Sequence, residues 1–116
     1  HVKVNTVKVI LEEVLYNLCD NGLKYNKQSG SLTVNISEVE GNAQIVVEDT
    51  GIGISEEDKM RIFERFYRVD KSHSKAIGGT GLGLSIVKHG SMFLGADVKV
   101  ESTLGEGSRF ILTIPE

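Results

Sequence analysis

Four glycines fall within the six residues Gly78-Gly79-Thr80-Gly81-Leu82-Gly83, and an apolar helical pattern, Leu84-Ser85-Ile86-Val87-Lys88, follows at once. Glycine lets the backbone reach positive φ and lets a ligand approach main-chain N–H groups with no Cβ in the way. A helix starting there aims unpaired N–H groups and the positive end of its dipole at the loop. Together these make a polyphosphate site. Taken alone, the same segment also fits a tight connection.

Three more groups of residues carry chemistry. Asn17 and Asn21 stand one helical turn apart and Lys24 about one turn further, so all three project from one face. An amide oxygen is a hard, neutral ligand for Mg²⁺ that adds no negative charge beside phosphates. Lys24 offers a point charge to a phosphate oxygen. A solvated helix face has the same pattern. Asp49 ends the apolar run Ile45-Val46-Val47 and precedes Gly51-Ile52-Gly53. A carboxylate there can accept from an exocyclic amine such as adenine N6, with the glycines letting a purine lie against the backbone; an Asp-Gly turn without ligand looks alike. Finally, Ile62-Phe63-Glu64-Arg65-Phe66-Tyr67-Arg68 joins aromatics that suit a core to arginines that suit either a phosphate clamp or surface charge.

The elements that must position these residues follow from periodicity. At ~100° per residue, a helix from about Thr6 to Asn26 puts Val7, Leu11, Val14, Leu15, Leu18 and Gly22 on one apolar stripe. Glu13, Asn17, Asp20, Asn21 and Lys24 form a polar stripe beside it, and Glu12, Tyr16 and Cys19 take the remaining side. Leu32–Ile36 and Ala43–Val47 read as strands joined by a hairpin at Gly41-Asn42. Ser55, followed by Glu56, Glu57 and Asp58, caps a short helix. From about Val69 to Gly81 the composition is polar and small, which predicts a mobile loop. A second long helix runs from Leu82 to about Leu94, with Leu82, Ile86, Val87 and Phe93 among its apolar positions. The last strands, Ala96–Ser102 and Arg109–Ile114, meet at Gly105-Glu106-Gly107. This order predicts an α/β two-layer sandwich with a largely antiparallel sheet.

Composition narrows the function classes. The 116 residues read as one domain able to bury a core. Thirteen Lys+Arg against sixteen Asp+Glu give a net charge of −3, which offers no general attraction to nucleic acid or anionic membranes. The single cysteine, Cys19, cannot form an internal disulfide and suits a reducing cytosol. No apolar run approaches the ~20 residues of a membrane span, and no signal peptide is evident. The opening His1-Val2-Lys3, without Met, reads as an excised fragment.

The order of the pieces is more specific than any one of them. Asn17-Leu18-Cys19-Asp20-Asn21-Gly22-Leu23-Lys24-Tyr25, then Asp49-Thr50-Gly51-Ile52-Gly53-Ile54, then Ile62–Arg68, then Gly79-Thr80-Gly81-Leu82-Gly83-Leu84 resembles the catalytic ATP-binding domain of bacterial sensor histidine kinases. The segments match that family's N, G1, F and G2 boxes in sequence and order, over essentially the whole chain. The resemblance implies a Bergerat α/β sandwich, with a mixed, mostly antiparallel sheet on about three helices and a mobile ATP lid, formed by residues 1–116 as one domain.

It further implies that Asn17 ligates Mg²⁺, that Asn21 and Lys24 meet the phosphates of ATP, and that Tyr25 lies beside the nucleoside. Asp49 would take the adenine amine while Gly51 and Gly53 shape the purine pocket. Arg68 would reach the terminal phosphates from the lid, and Gly79, Thr80, Gly81 and Gly83 would flank the phosphates. Ile54, Phe66, Leu82 and Leu84 fall where the family packs the pocket and lid. Gly22 stands where alanine is common, and Leu94-Gly95-Ala96 replaces a usual His-Gly-Gly; both departures concern packing and turns.

The expected activity is transfer of the γ-phosphate to a histidine, then onward to a response-regulator aspartate. That histidine is normally followed by an acidic residue, whereas His1, His73 and His89 precede Val2, Ser74 and Gly90. The acceptor is therefore expected on a separate dimerisation domain. The resemblance implies a cytoplasmic, monomeric fragment of a homodimeric, membrane-anchored parent. Two other classes stay open. Glu13 matches a glutamate that activates water in gyrase-type relatives, which gives a water-attacking ATPase. A nucleotide-dependent binding module, as in anti-sigma-type relatives, is the third. The segment resembling the F box favours the kinase, in which Glu13 would orient groups around Mg²⁺ or the incoming histidine.

Overall fold

The computed structural model describes residues 8–24, 26, 30–64 and 83–115. Seven elements follow in chain order: α1 (Lys8–Lys24), β1 (Leu32–Val39), β2 (Asn42–Asp49), α2 (Glu56–Lys59), α3 (Gly83–Phe93), β3 (Asp97–Thr103) and β4 (Gly107–Pro115). The strands form one sheet in the order β1-β2-β4-β3. Every pairing in it is antiparallel, so the sheet expected to be mostly antiparallel is antiparallel at each described pair. The hairpin turns at Glu40-Gly41, both with positive φ, one residue earlier than the sequence indicated.

Side chains alternate across the sheet, and one face carries the core. Ala43, Ile45 and Val47 of β2 face the same side as Phe110, Leu112 and Ile114 of β4 and Val98 of β3, all nearly inaccessible. Val14 and Leu18 of α1 and Val87 of α3 close this layer from above, each with 0% exposure. Phe63 adds an edge-to-face contact on Phe110, with ring centroids 6.3 Å apart. Lys88 Nζ sits over the Phe63 ring, 5.9 Å from its centroid.

The predicted apolar stripe of α1 is the buried one: Val14, Leu18 and Gly22 are buried, with Leu11 and Leu15 packed partly against the core. Val7 lies outside the described residues. Phe93 departs from expectation, being 69% exposed. Six residues separate it from Val87, which turns it ~120° away from the core-facing direction of α3. The two helices lie close because glycines of α3 face α1. A Cβ on Gly90 would sit 2.6 Å from Val14 Cγ2, and one on Gly83 would sit 3.4 Å from Asn17 Oδ1. The helices therefore run antiparallel, with the start of α3 beside the middle of α1.

The last row of the sheet on the core face is polar. Asp49 pairs with Ser108 across β2 and β4, and Ser108 pairs with Ser102 across β4 and β3. Asp49 and Ser108 are each 7% exposed. Apolar burial thus stops one rung short of the sheet end, and chemistry-bearing groups occupy the end itself.

Candidate functional site

The segment 49–54 leaves β2 and is held on both flanks. Asp49 turns back on it, its Oδ1 accepting from the Gly51 N–H at 2.8 Å. Gly53 has φ 74°, and an added Cβ would lie 2.1 Å from the carbonyl oxygen of Thr103. Gly107 has φ 122°, and its Cβ would lie 2.1 Å from the carbonyl oxygen of Asp49. Only glycine fits at either position. The Gly105 N–H also donates to Ile52 O at 2.8 Å. The β3–β4 turn and the purine-loop candidate are therefore seated backbone on backbone.

The other flank is a closed ring of bonds. Thr50 Oγ1 accepts from the Ser31 N–H at 2.8 Å and donates to Asn26 Oδ1 at 3.2 Å. Asn26 Nδ2 donates to Ser31 O at 2.8 Å, and the Thr50 N–H donates to the same carbonyl at 3.2 Å. This ring ties the chain that follows α1 to the residue after Asp49. Ile54, 8% exposed, then sinks into the core and fixes the loop's far end. The cap expected at Ser55 is present: its Oγ accepts from the Asp58 N–H at 3.1 Å.

Along α1 the polar stripe sits where the sequence puts it. Asn17 is half-buried, and its Nδ2 donates to the carbonyl of Glu13 at 2.8 Å. That bond uses the amide's donor side and leaves Oδ1 turned toward Gly83, at the start of α3. One and a half turns later, a Cβ on Gly22 would lie 3.6 Å from Asp49 Oδ2. The helix rise puts these two contacts ~7.5 Å apart along α1, on one rigid element. A Cβ at Gly22 would also lie 2.6 Å from Leu32 Cδ1, so the glycine at this position accompanies a leucine that fills the methyl's space.

Asn21 is half-buried on the same helix, and Glu13 is exposed one turn before Asn17. Lys24 pairs with Asp20 at 3.0 Å, each side chain about one-third exposed. The pair is too solvated to hold the lysine strongly. Gly83 and Leu84 open α3, with Leu84 packed partly on the core. Tyr25, Phe66, Arg68, Gly79, Thr80, Gly81 and Leu82 lie outside the described residues, as does the whole predicted lid.

Burial pushes the Asp49 carboxyl above the ordinary carboxylate range; bonds from the Gly51 and Ser108 backbone oppose this, and the neighbouring Glu48 adds to it. A buried carboxylate is costly in isolation and gains from a donor. Among the described residues no group of three His, Cys, Asp or Glu converges. The amide oxygen of Asn17, with its nitrogen already bonded to Glu13, is of the chemistry that would suit Mg²⁺, whose other ligands would have to come from outside the chain.

Ser102, Ser108, Gly107, Thr50 and Asn26 escape a reading of the sequence as a row of motifs. Gly105-Glu106-Gly107 signalled a turn but not that the turn would clasp residues 49–54. No local signal marks the serines, whose partners are distant in the chain.

Comparison with known proteins shows which family the chain resembles. The sequence pattern of the histidine kinase-, DNA gyrase B- and HSP90-like ATPase family matches residues 6–116. The chain is 43% identical over 107 residues to the sensor-like histidine kinase SenX3 of Mycolicibacterium smegmatis, covering 92% of this chain and 28% of that protein. It is 38% identical over 117 residues to the sensor histidine kinase WalK of Bacillus subtilis, covering 99% of this chain and 19% of that one. Among solved structures, the mycobacterial sensor histidine kinase MprB superposes with a TM-score of 0.84 at 26% identity, over 97% of this chain and 76% of that one. Full-length ShkA in complex with AMPPNP superposes with a TM-score of 0.78 at 33% identity, over 91% of this chain and 21% of that one. The chain thus spans about a quarter or less of the sensor kinases it matches in sequence.

Proposed function

The chain belongs to the histidine kinase-, DNA gyrase B- and HSP90-like ATPase family, as an ATP-binding domain of the sensor histidine kinase type, and on that premise we propose that it holds Mg²⁺–ATP and presents the γ-phosphate to a histidine on a separate domain. The histidine would pass the group to a response-regulator aspartate. The observation that carries this reading is the pair of contacts along α1, with Asn17 Oδ1 turned to the start of α3 and Gly22 set against Asp49.

In this reading Asp49 accepts from adenine N6 and Gly51 and Gly53 give the base a bare backbone to rest on. Asn17 would hold Mg²⁺, which neutralises charge building on the transferring phosphoryl group. Asn21 and Lys24 would meet phosphate oxygens, and the N–H groups at the start of α3 face the same place. The sequence adds Tyr25, Phe66, Arg68 and the glycines from Gly79 to Gly83 as proposed contacts. Phosphoryl transfer asks for positioning and charge stabilisation rather than covalent participation, and this set supplies both. No helix among the described residues is long and apolar enough to cross a membrane. We place residues 1–116 together as one catalytic module. A membrane-anchored, dimeric parent fits the sensor kinases that the chain resembles.

Asp49→Asn tests the base end. It keeps the shape, loses a charge-assisted bond and turns a donor toward N6, so ATP binding should weaken by about 1.5–3 kcal/mol. GTP, which presents a carbonyl at that position, should bind the wild type weakly and the variant no worse. Equal affinities for ATP and GTP in wild-type calorimetry would remove Asp49 from the purine site.

The raised Asp49 pKa gives a second expectation, with opposite signs for folding and for binding. The folded carboxyl protonates at a higher pH than the unfolded one. Its ionisation therefore costs the free domain stability as pH rises through the folded pKa, and that cost is absent below the unfolded value. For binding, only the carboxylate is a pure acceptor, so the ATP affinity gap between wild type and Asp49→Asn should narrow as pH falls through the raised pKa. Titrations from pH 7 downward measure the gap, and the variant cancels the phosphates' own protonation. A gap that stays constant until the protein unfolds would contradict the assignment.

A further inference from the structure

A serine hydroxyl has one proton to give and two lone pairs to receive with, and Ser102 uses all three. Its Oγ donates to the carbonyl of Gly107 at 2.8 Å and accepts from the Ile54 N–H at 2.7 Å. The third neighbour is Ser108 Oγ at 2.8 Å. The carbonyl can only accept and the N–H can only donate, so Ser102 spends its proton on Gly107, and Ser108 must be the donor in the serine pair.

The three groups this hydroxyl gathers belong to different parts of the site. Ile54 ends the segment that begins at Asp49. Gly107 is the glycine whose missing Cβ lets the β3–β4 turn touch the Asp49 carbonyl. Ser108 lies directly across from Asp49 on the core face of the sheet. Ser102 also lends its own carbonyl to Lys59 Nζ at 3.0 Å, which draws α2 onto the same spot. A single side chain at the end of β3 thus holds the far end of the 49–54 loop while bonded to the residue paired with the near end.

We propose that Ser102 is a positioning residue for the purine loop: its hydroxyl holds residues 49–54 on the β3–β4 turn and so sets the aim of the Asp49 carboxylate. The proposal rests on the reading of Asp49 as the adenine acceptor. Ser102 stands outside the apolar core cluster, so deleting its hydroxyl removes no core packing. What is lost is the acceptor for Ile54 N–H and the fixed orientation of Ser108. The neighbouring backbone contacts at Gly53 and Gly105 remain, so the loop should stay in place with its register loosened. Adenine recognition is the property that feels this first, because one hydrogen bond to N6 depends on direction as well as distance.

The test is calorimetric titration of wild type, Ser102→Ala and Ser102→Thr with ATP and with GTP, alongside thermal unfolding and amide exchange at Ile54. Ser102→Ala should weaken ATP by about 5- to 20-fold, leave GTP nearly unchanged, and speed exchange of the Ile54 amide. Ser102→Thr, which keeps the hydroxyl, should stay within about 3-fold of wild type on ATP. Unchanged ATP affinity in Ser102→Ala would overturn the proposal. So would an equal loss of ATP and GTP accompanied by a lowered Tm, or outright unfolding, since either makes the hydroxyl a stability group only. A wild type that binds ATP without preference over GTP would overturn the Asp49 reading as well, and is told apart by the wild-type titration alone.

Discussion

Asn17→Ala should lower phosphotransfer by roughly 100- to 1,000-fold, equivalent to about 2.7–4 kcal/mol of transition-state stabilisation, while ADP binding falls far less. The separation follows from where the amide sits. Asn17 Nδ2 is committed to the Glu13 carbonyl, so Oδ1 is the atom available to a metal at the start of α3. Mg²⁺ held by Asn17 would neutralise charge on the phosphoryl group that moves, and ADP lacks that group. The base end, at Asp49, is remote from the substitution and should keep its grip on adenine. Asn17→Asp should also impair transfer, because the new carboxylate lies beside the phosphates it would repel. The assay is transfer to an added histidine-helix domain at limiting Mg²⁺, with ADP affinity measured in parallel. Full transfer by Asn17→Ala at limiting Mg²⁺ would take Asn17 out of the metal site.

Gly53→Ala should destabilise the domain by about 2–6 kcal/mol and abolish detectable ATP binding. A left-handed φ costs a non-glycine residue about 1–3 kcal/mol, and forcing an atom into a packed contact costs about 1–3 more. The contact in question is backbone: Thr103 O at 2.1 Å and its carbonyl carbon at 2.7 Å. No rotamer change relieves it, so the loop must lift away from the β3–β4 turn and take the purine pocket with it. Gly41→Ala is the control, since Gly41 also has positive φ, 83°, with nothing within 4 Å of its added Cβ. It should show the backbone cost alone and keep ATP binding. Equal unfolding free energies for the two variants in urea would show that the Thr103 contact yields without cost.

Much of this architecture is legible in the sequence because it is local. The period of Val14, Leu18 and Gly22 on α1 names the face that is buried, and the same period puts Asn17 and Asn21 together on the next. Ser55 announces a helix start through its own hydroxyl, three residues from the N–H it caps. Asp49 is readable because the glycines that serve it are its neighbours. What stays hidden depends on pairs distant in the chain. Ser102 meets Ile54 across 48 residues, and Thr50 meets Asn26 across 24. Neither leaves a periodic trace. Phe93 is an apolar position of α3 that hydrophobicity alone does not place: its direction on the helix points away from Val87, and it is 69% exposed. Edge exposure is likewise a tertiary fact. Val34 and Ile36 share a sheet face with the core residues Val47 and Ile45, yet stay 45% and 59% exposed.

The central claim is that the phosphate bound here goes to a protein histidine and not to water. Incubating the domain with γ-³²P-ATP, Mg²⁺ and a panel of separately purified histidine-helix domains tests this most directly, with released phosphate measured in the same tubes. Label is expected on at least one helix domain in an acid-labile, alkali-stable linkage, lost when that domain's histidine is replaced and strongly reduced when Asn17→Ala is used. Rapid release of inorganic phosphate with no label on any helix domain, abolished by Glu13→Gln, would contradict it and make the chain a water-attacking ATPase.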